Sequence, residues 1–190
     1  PQVDRWLMDV VHLGDNAFWL RGSPISDVYD AFRDEVFLGI GLVVIGLTLL
    51  AALGRPLPGF GWRRMAVIWT TVGVWVGLVA NVLFKNQFGR PRPKNVEAFG
   101  GELPFHPPWL PGGACASNCS FPSGDAAYAA VVLAFALAAP SGPWRTAAIA
   151  GALAFTAFVA AMRVLTGDHF PSDVAFGALV TIILVLVLDD

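Results

Sequence analysis

The sequence predicts an all-α fold, a polytopic transmembrane helix bundle with its functional site at one membrane face. Of the 190 residues, 56% are hydrophobic and only 14% are charged, and the mean hydropathy is +0.63. Soluble domains carry about 25% charged residues. The apolar residues are also collected into long runs separated by short polar stretches, which is the pattern of membrane-spanning helices.

Five apolar runs give five predicted spans, at residues 36–53, 65–84, 126–139, 146–165 and 170–188. The first two are joined by a short loop rich in Gly and Pro, so we expect an antiparallel helical pair. Residues 85–121 form the longest polar stretch between spans. We expect this loop to fold over the membrane surface as a rim, because its many Pro and Gly residues oppose regular structure.

Residues 1–35 are predicted to be an interfacial, extracytoplasmic N-terminal segment, followed by a transmembrane domain over 36–190. Val3, Trp6 and Val10 share one face of a possible helix, which favours an amphipathic helix at the interface. Ser23 followed by Pro24 is a typical helix start. The residues of this segment suggest no recognisable chemistry.

The net charge and the two cysteines limit which partners and which cellular compartment the protein can have. A net charge of -2 argues against a nucleic-acid partner, so the bilayer is the partner that the composition indicates. Cys115 and Cys119 are the only cysteines, and their spacing in a loop permits a disulfide, which would place that side in an oxidising compartment. Free thiols remain the alternative, and a zinc site fits less well because two ligands lack a second pair.

The turn between the last two runs carries a cation, an imidazole and a carboxylate, in Arg163, His169 and Asp173. If a helix has begun by His169, Asp173 lies one turn further on and fixes the tautomer of the imidazole. The other ring nitrogen is then free to attack an electrophile. A polar turn that caps two helices is the alternative interpretation.

Three polar stretches emerge on the same membrane face, because an even number of crossings separates each from the next. They begin at Lys85, Ser123 and Arg163. Ser123 and Gly124 open a helix, where free N–H groups can bind an anion, although Ser followed by an acid is also an ordinary helix cap. The cations of the first stretch can instead contact lipid headgroups.

Together these stretches contain Lys85 and Arg92-Pro93, then Pro122-Ser123-Gly124, then Arg163, His169 and Asp173. This arrangement resembles the three-part signature of the type 2 phosphatidic acid phosphatase superfamily, which also includes bacterial acid phosphatases and vanadium haloperoxidases. The resemblance implies that His169 is the nucleophile, that it forms a phosphohistidine, and that Asp173 orients it. It implies a phosphate cradle without metal or other cofactor, formed by Lys85, Arg92, Ser123, Gly124 and Arg163.

Two positions depart from the family pattern. Met162 stands where the family usually has Ser, and Asp125 stands where the family has a His that protonates the leaving group. Asp125 is therefore a candidate general acid if its pKa is raised. It can alternatively position an acid or water, or mark a slow enzyme.

The resemblance implies hydrolysis of a phosphate monoester or pyrophosphate on a membrane lipid. Phosphatidic acid, phosphatidylglycerophosphate, polyprenyl pyrophosphate and a lipid A phosphate all fit, and the sequence does not choose among them. The alternatives are a phosphotransferase that passes the phosphoryl group to a second lipid, and a catalytically weak relative that binds phospholipids. Protein partners are not indicated.

The orientation of the protein in the membrane is predicted from the cations that a phosphate substrate would not require. Arg55, Arg63, Arg64 and Arg145 lie opposite the motifs and mark the cytoplasmic side. The site would then face the periplasm from a bacterial inner membrane, with Pro1 outside and Asp190 inside. Because the resembled family usually has six spans, we also expect a further helix before Pro1.

Overall fold

A computed structural model describes residues 2–189 and shows a helical bundle with one small hairpin. The predicted sides of Pro1 and Asp190 lie outside the described residues. In chain order the elements are α1 Gln2–Val11, β1 His12–Gly14, β2 Ala17–Phe18, α2 Pro24–Ala52, α3 Trp62–Trp69, a π-helical stretch Thr70–Phe84, α4 Lys85–Phe88, short 3-10 turns Pro93–Asn95 and Glu97–Phe99, α5 Gly124–Ala130, α6 Val132–Leu137, α7 Pro143–Leu165 and α8 Pro171–Asp189.

Four helical segments are long and apolar enough to cross a membrane: Pro24–Ala52, Trp62–Asn95, Pro143–Leu165 and Pro171–Asp189. The predicted membrane bundle is therefore confirmed. The run predicted at 126–139 forms the shorter apolar segment Gly124–Leu137, which is divided between α5 and α6 at Val131. Its alanines are almost fully buried among the other helices, so this segment packs inside the bundle.

α1 forms as the sequence predicted, but the face turned to the protein was not foreseen. Val3, Trp6 and Val10 are exposed, whereas Asp4 and Met8 are buried. The buried side joins an apolar cluster with Phe18, Val96, Phe99 and Phe170. α1 is therefore docked on the rim loop and the start of α8, with its apolar stripe facing outward.

α2 begins well before the predicted span at residue 36. Ser23 caps it, since its hydroxyl oxygen accepts a hydrogen bond from the Ser26 N–H at 3.2 Å, and Pro24 occupies the first turn as predicted. The helix then continues without a break to Ala52. Its first turns consequently stand beside the polar ends of the other helices.

Candidate active site

The site lies where five helical elements meet: the first turns of α2, α5 and α8 and the last turns of α4 and α7. The structure brings the three sequence motifs together there. The Ser123 N–H donates to the Asp173 carbonyl at 3.0 Å, and Arg163 reaches Asp125. α5 and α8 approach so closely that a Cβ at Gly177 would lie only 2.5 Å from the Ser123 carbonyl oxygen.

His169 lies in the turn between α7 and α8 and is 1% exposed. Its Nδ1 is 2.8 Å from the Ser120 carbonyl oxygen, so Nδ1–H donates to this carbonyl and Nε2 retains the lone pair. Burial lowers the pKa of the imidazole below its usual value, against the opposing effect of the Asp173 carboxylate. A neutral imidazole with a free Nε2 is a competent nucleophile.

Asp173 supports His169 differently from our expectation. Its Oδ2 is 3.8 Å from His169 Nδ1, too far for a direct hydrogen bond. Because α8 begins at Pro171, the carboxylate turns back and accepts from the Phe170 N–H at 2.9 Å, as in a capping box. It also accepts from the Ser120 hydroxyl at 2.5 Å. Asp173 therefore fixes Ser120, and the Ser120 carbonyl orients the imidazole.

Arg90 is the main support residue that the sequence analysis missed. It is fully buried, and it donates to Asp173, to the Ser172 hydroxyl at 2.8 Å and to the Asp4 carboxylate at 2.7 Å. Its Nε donates to the His106 carbonyl at 2.8 Å. With its guanidinium occupied in this way, Arg90 ties α1 to α8 and is unavailable to a headgroup. Its acidic partners are 83 and 86 residues away in sequence, so no local pattern could reveal them.

Arg163 presents three guanidinium nitrogens to three carboxylates. Its Nε is 3.0 Å from Asp125 Oδ2, its Nη2 is 3.2 Å from Asp168 Oδ2, and its Nη1 is 3.4 Å from Asp30 Oδ1. The side chain is only 7% exposed. The guanidinium is a planar, permanently charged fork, and a bound phosphate would have to take the place of these carboxylate oxygens around it.

Asp168 organises the remaining cations. Its Oδ1 accepts from Lys94 Nζ at 2.5 Å and from Arg92 Nη1 at 3.1 Å. Burial opposes ionisation, but Arg163, Lys94 and Arg92 together hold the pKa of this carboxyl below its usual range. Lys85 lies on α4, before the loop that carries Arg92, and forms no ion pair within residues 2–189. Arg92, Lys94 and Arg163, which we call the cationic clamp, therefore come from separate parts of the chain and surround the Asp168 carboxylate.

The disulfide candidates border the same cluster. Cys115 and Cys119 are bonded to each other, with their Cα atoms 5.7 Å apart. Between them, Asn118 accepts from Arg92 through its carbonyl oxygen at 3.1 Å and its side-chain oxygen at 2.7 Å. The small covalent loop therefore holds an acceptor against the Arg92 guanidinium.

The start of α5 is tightly built. Ser123 is fully buried and its Oγ accepts from the Ala126 N–H at 3.3 Å as the helix cap. A Cβ at Gly124 would lie 2.5 Å from Asn81 Oδ1, so no side chain fits without displacing Asn81. Within residues 2–189, the N–H groups of Gly124 and Asp125 have no hydrogen-bond partner, which leaves two donors at the helix start.

The first turns of α2 contribute charge that we did not assign to this segment. Arg33 Nη1 is 2.6 Å from Asp30 and 3.8 Å from Asp125 Oδ2, and Asp30 contacts Arg163. Asp4 and the first turns of α2 therefore contact the cluster, which the sequence analysis did not predict for residues 1–35. Among the residues that the structure describes, His, Cys, Asp and Glu side chains form no group of three that could hold a metal ion.

An apolar cavity of about 480 Å³ lies beside the first turns of α8. It is bordered by Ser172, which contacts Arg90, and by a set of aromatic side chains. Its lining is completed by Phe84, Phe88, Pro108, Trp109, Phe121 and Phe176.

The fold and the cluster define a polytopic helical membrane protein with a buried cationic site at one end of its helices. Residues 64–188 match the family model described as the PAP2 superfamily. The chain belongs to the PAP2 superfamily.

The chain is also similar in sequence to individual proteins of known name. The chain is 37% identical over 115 residues to a lipid A 4'-phosphatase of Francisella tularensis subsp. novicida, covering 60% of this chain and 52% of the relative. It is 36% identical over 121 residues to a lipid A 4'-phosphatase of Rhizobium leguminosarum, covering 64% and 52%. The chain thus spans about half the length of these relatives. No solved structure matches it.

Proposed function

We propose that this chain hydrolyses a phosphate monoester on a membrane lipid through a phosphohistidine on His169. The observation that carries this proposal is the arrangement of Arg163, whose three nitrogens face carboxylate oxygens next to a buried neutral imidazole. In the proposed complex, phosphate oxygens replace carboxylate oxygens around this guanidinium. The similarity to two proteins named lipid A 4'-phosphatase supports lipid A as the substrate.

In the proposed reaction, the His169 Nε2 lone pair attacks phosphorus and the bond to the lipid oxygen breaks. Arg163, Arg92 and Lys85 bind the nonbridging oxygens and stabilise the charge that spreads over them in the transition state. Water then attacks the phosphohistidine, which releases inorganic phosphate and restores the imidazole. The Ser120 carbonyl holds Nδ1–H throughout, so Nε2 remains the reacting atom.

The lipid would enter with its tails in the bilayer and its phosphate at the helix ends. The aromatic cavity beside α8 offers apolar surface near this position. We propose that the site faces the periplasm from a bacterial inner membrane. Two features support this orientation. The disulfide lies beside Arg92, and disulfides persist in oxidising compartments. At the opposite end of the bundle Arg64 pairs with Asp189 at 2.5 Å, and Arg55, Arg63 and Arg145 are predicted at the same end, as expected of a cytoplasmic side.

The test is phosphate release by the purified protein in detergent from lipid A, phosphatidic acid and a polyprenyl pyrophosphate. We expect His169→Ala to lower the rate by at least about 10³-fold, with the folded state checked by thermal unfolding. His106→Ala is the matched control, since only the backbone carbonyl of His106 contacts Arg90. Full activity of His169→Ala would refute the phosphohistidine. Appearance of a phosphorylated acceptor lipid in place of inorganic phosphate would indicate a phosphotransferase.

A further inference from the structure

The proposed reaction needs a proton on the leaving oxygen, because a lipid alkoxide is a poor leaving group. Asp125 occupies the position expected for the donor, but its Oδ2 lies 3.0 Å from Arg163 Nε and 3.8 Å from Arg33 Nη1. An ionised carboxylate held between two guanidinium groups only accepts hydrogen bonds. Asp125 is therefore better suited to orient Arg163 than to supply a proton.

Tyr29 supplies a second candidate donor. It lies on the first turns of α2, directly before Asp30, and is only 4% exposed. Asp30 is 3.4 Å from Arg163, and the Arg33 guanidinium beside the Tyr29 ring is 3.8 Å from Asp125 Oδ2, so the ring lies next to the same cluster. Its ring is fixed by edge-on packing against Phe158 at 5.8 Å and by the Arg33 guanidinium at 5.8 Å.

The hydroxyl of Tyr29 is buried without any hydrogen-bond partner in residues 2–189. Buried hydroxyl groups are almost always paired, so an unpaired one requires an explanation. Three buried side-chain atoms in the described part of the chain share this condition, and two of them, Tyr29 OH and Arg163 Nε, belong to this cluster. Arg163 Nε is close to Asp125 but outside hydrogen-bond geometry. Two unsatisfied donors in one cluster indicate that an acceptor from the substrate binds between them.

We propose that Tyr29 is the proton donor to the leaving-group oxygen, an inference that rests on the proposed phosphatase function. As the bond between phosphorus and nitrogen forms and the bond between phosphorus and the lipid oxygen breaks, the phenolic proton passes to that oxygen. The product is a lipid alcohol, and the phenolate is left beside the Arg33 guanidinium. The water that later attacks the phosphohistidine returns a proton to Tyr29, which balances the cycle.

The test compares leaving groups in variants of the whole chain. Tyr29→Phe removes only the hydroxyl, and Tyr128→Phe is the matched control, because Tyr128 is the other of two tyrosines and its hydroxyl already donates to the Phe37 carbonyl at 3.2 Å. The substrates are a lipid phosphate monoester and a nitrophenyl phosphate that carries an alkyl chain, whose leaving group needs no proton. We expect Tyr29→Phe to lower kcat about 10²- to 10⁴-fold for the lipid and to leave kcat for the nitrophenyl ester nearly unchanged. Tyr128→Phe should change neither.

The outcomes separate the two proposals. Equal losses on both substrates would show that Tyr29 is merely structural, and no loss on either would show that it is not the donor. Leaving-group dependence in Asp125→Asn but not in Tyr29→Phe would assign the proton to Asp125. If the wild-type protein released phosphate from neither substrate, the phosphatase proposal itself would fail, and the Tyr29 proposal with it.

Discussion

The contact between Asp4 and Arg90 gives the most direct test of how the site is supported. Asp4 accepts three hydrogen bonds: from Arg90 Nη2 at 2.7 Å, from the Ser172 N–H at 2.9 Å and from the Ser172 hydroxyl at 2.6 Å. Asp4→Asn keeps the shape but replaces one acceptor oxygen with a donor NH₂ group. This group would face donors, and Arg90 would lose one of its two carboxylates.

The magnitude follows from the burial of this network. Losing one partner of a buried ion pair costs about 3–5 kcal/mol, and Arg90 keeps Asp173, so we expect a loss near the lower end, about 3 kcal/mol. For a chain of this size that corresponds to a Tm lower by roughly 6–12 °C. The assay is thermal unfolding in detergent, followed by tryptophan fluorescence, together with phosphate release.

Asp9→Asn is the matched control, since Asp9 lies on the same helix and is exposed. We expect it to unfold at the wild-type temperature. If Asp4→Asn and Asp9→Asn unfold together, the buried pair does not hold α1 to α8, and the proposed support of Asp173 through Arg90 is wrong.

Two further predictions concern the cationic clamp. Replacing both Cys115 and Cys119 with Ser should raise KM several-fold with a smaller effect on kcat, because the freed loop no longer holds Asn118 against Arg92; Asn118→Ala should act in the same direction, and an unchanged KM in both would contradict this role. Asp168 has a depressed pKa in the folded protein, so its carboxylate stabilises the fold above the unfolded pKa near about 4 and loses this effect as the pH falls through the folded value. The Tm difference between wild type and Asp168→Asn should therefore be constant over about pH 5–8 and shrink only below about pH 4, and a difference that shrank near neutral pH would be inconsistent with this assignment.

The fold was predictable because helices that cross a membrane require long apolar runs, which are visible in the sequence. The helical bundle is confirmed, and the helix starts at Ser23 and Pro171 follow local capping rules. The run at 126–139 forms a shorter apolar segment than the other spans, and hydropathy alone does not show that this segment is enclosed by its neighbours. The many small residues of that run were the available signal.

The site was less predictable, because sequence spacing reports only local neighbours. Spacing suggested that Asp173 bonds to His169, whereas the acceptor is the Ser120 carbonyl, 49 residues away. Arg90 was one of four cations in a loop, and nothing nearby distinguished it as the buried one. Asp30 and Arg33 could have been noticed as an oppositely charged pair one helical turn apart, but their approach to Asp125 and Arg163 depends on helix packing.

The family match begins at residue 64, yet Asp4 and the α2 side chains that contact the site lie before it. A protein trimmed to the matched region would retain every signature residue and still leave Arg90 buried with one acidic partner fewer. It would also lose the wall of the site formed by Tyr29, Asp30 and Arg33. The part of the chain that holds the site in place is therefore larger than the matched region, because it includes α1 and the first turns of α2.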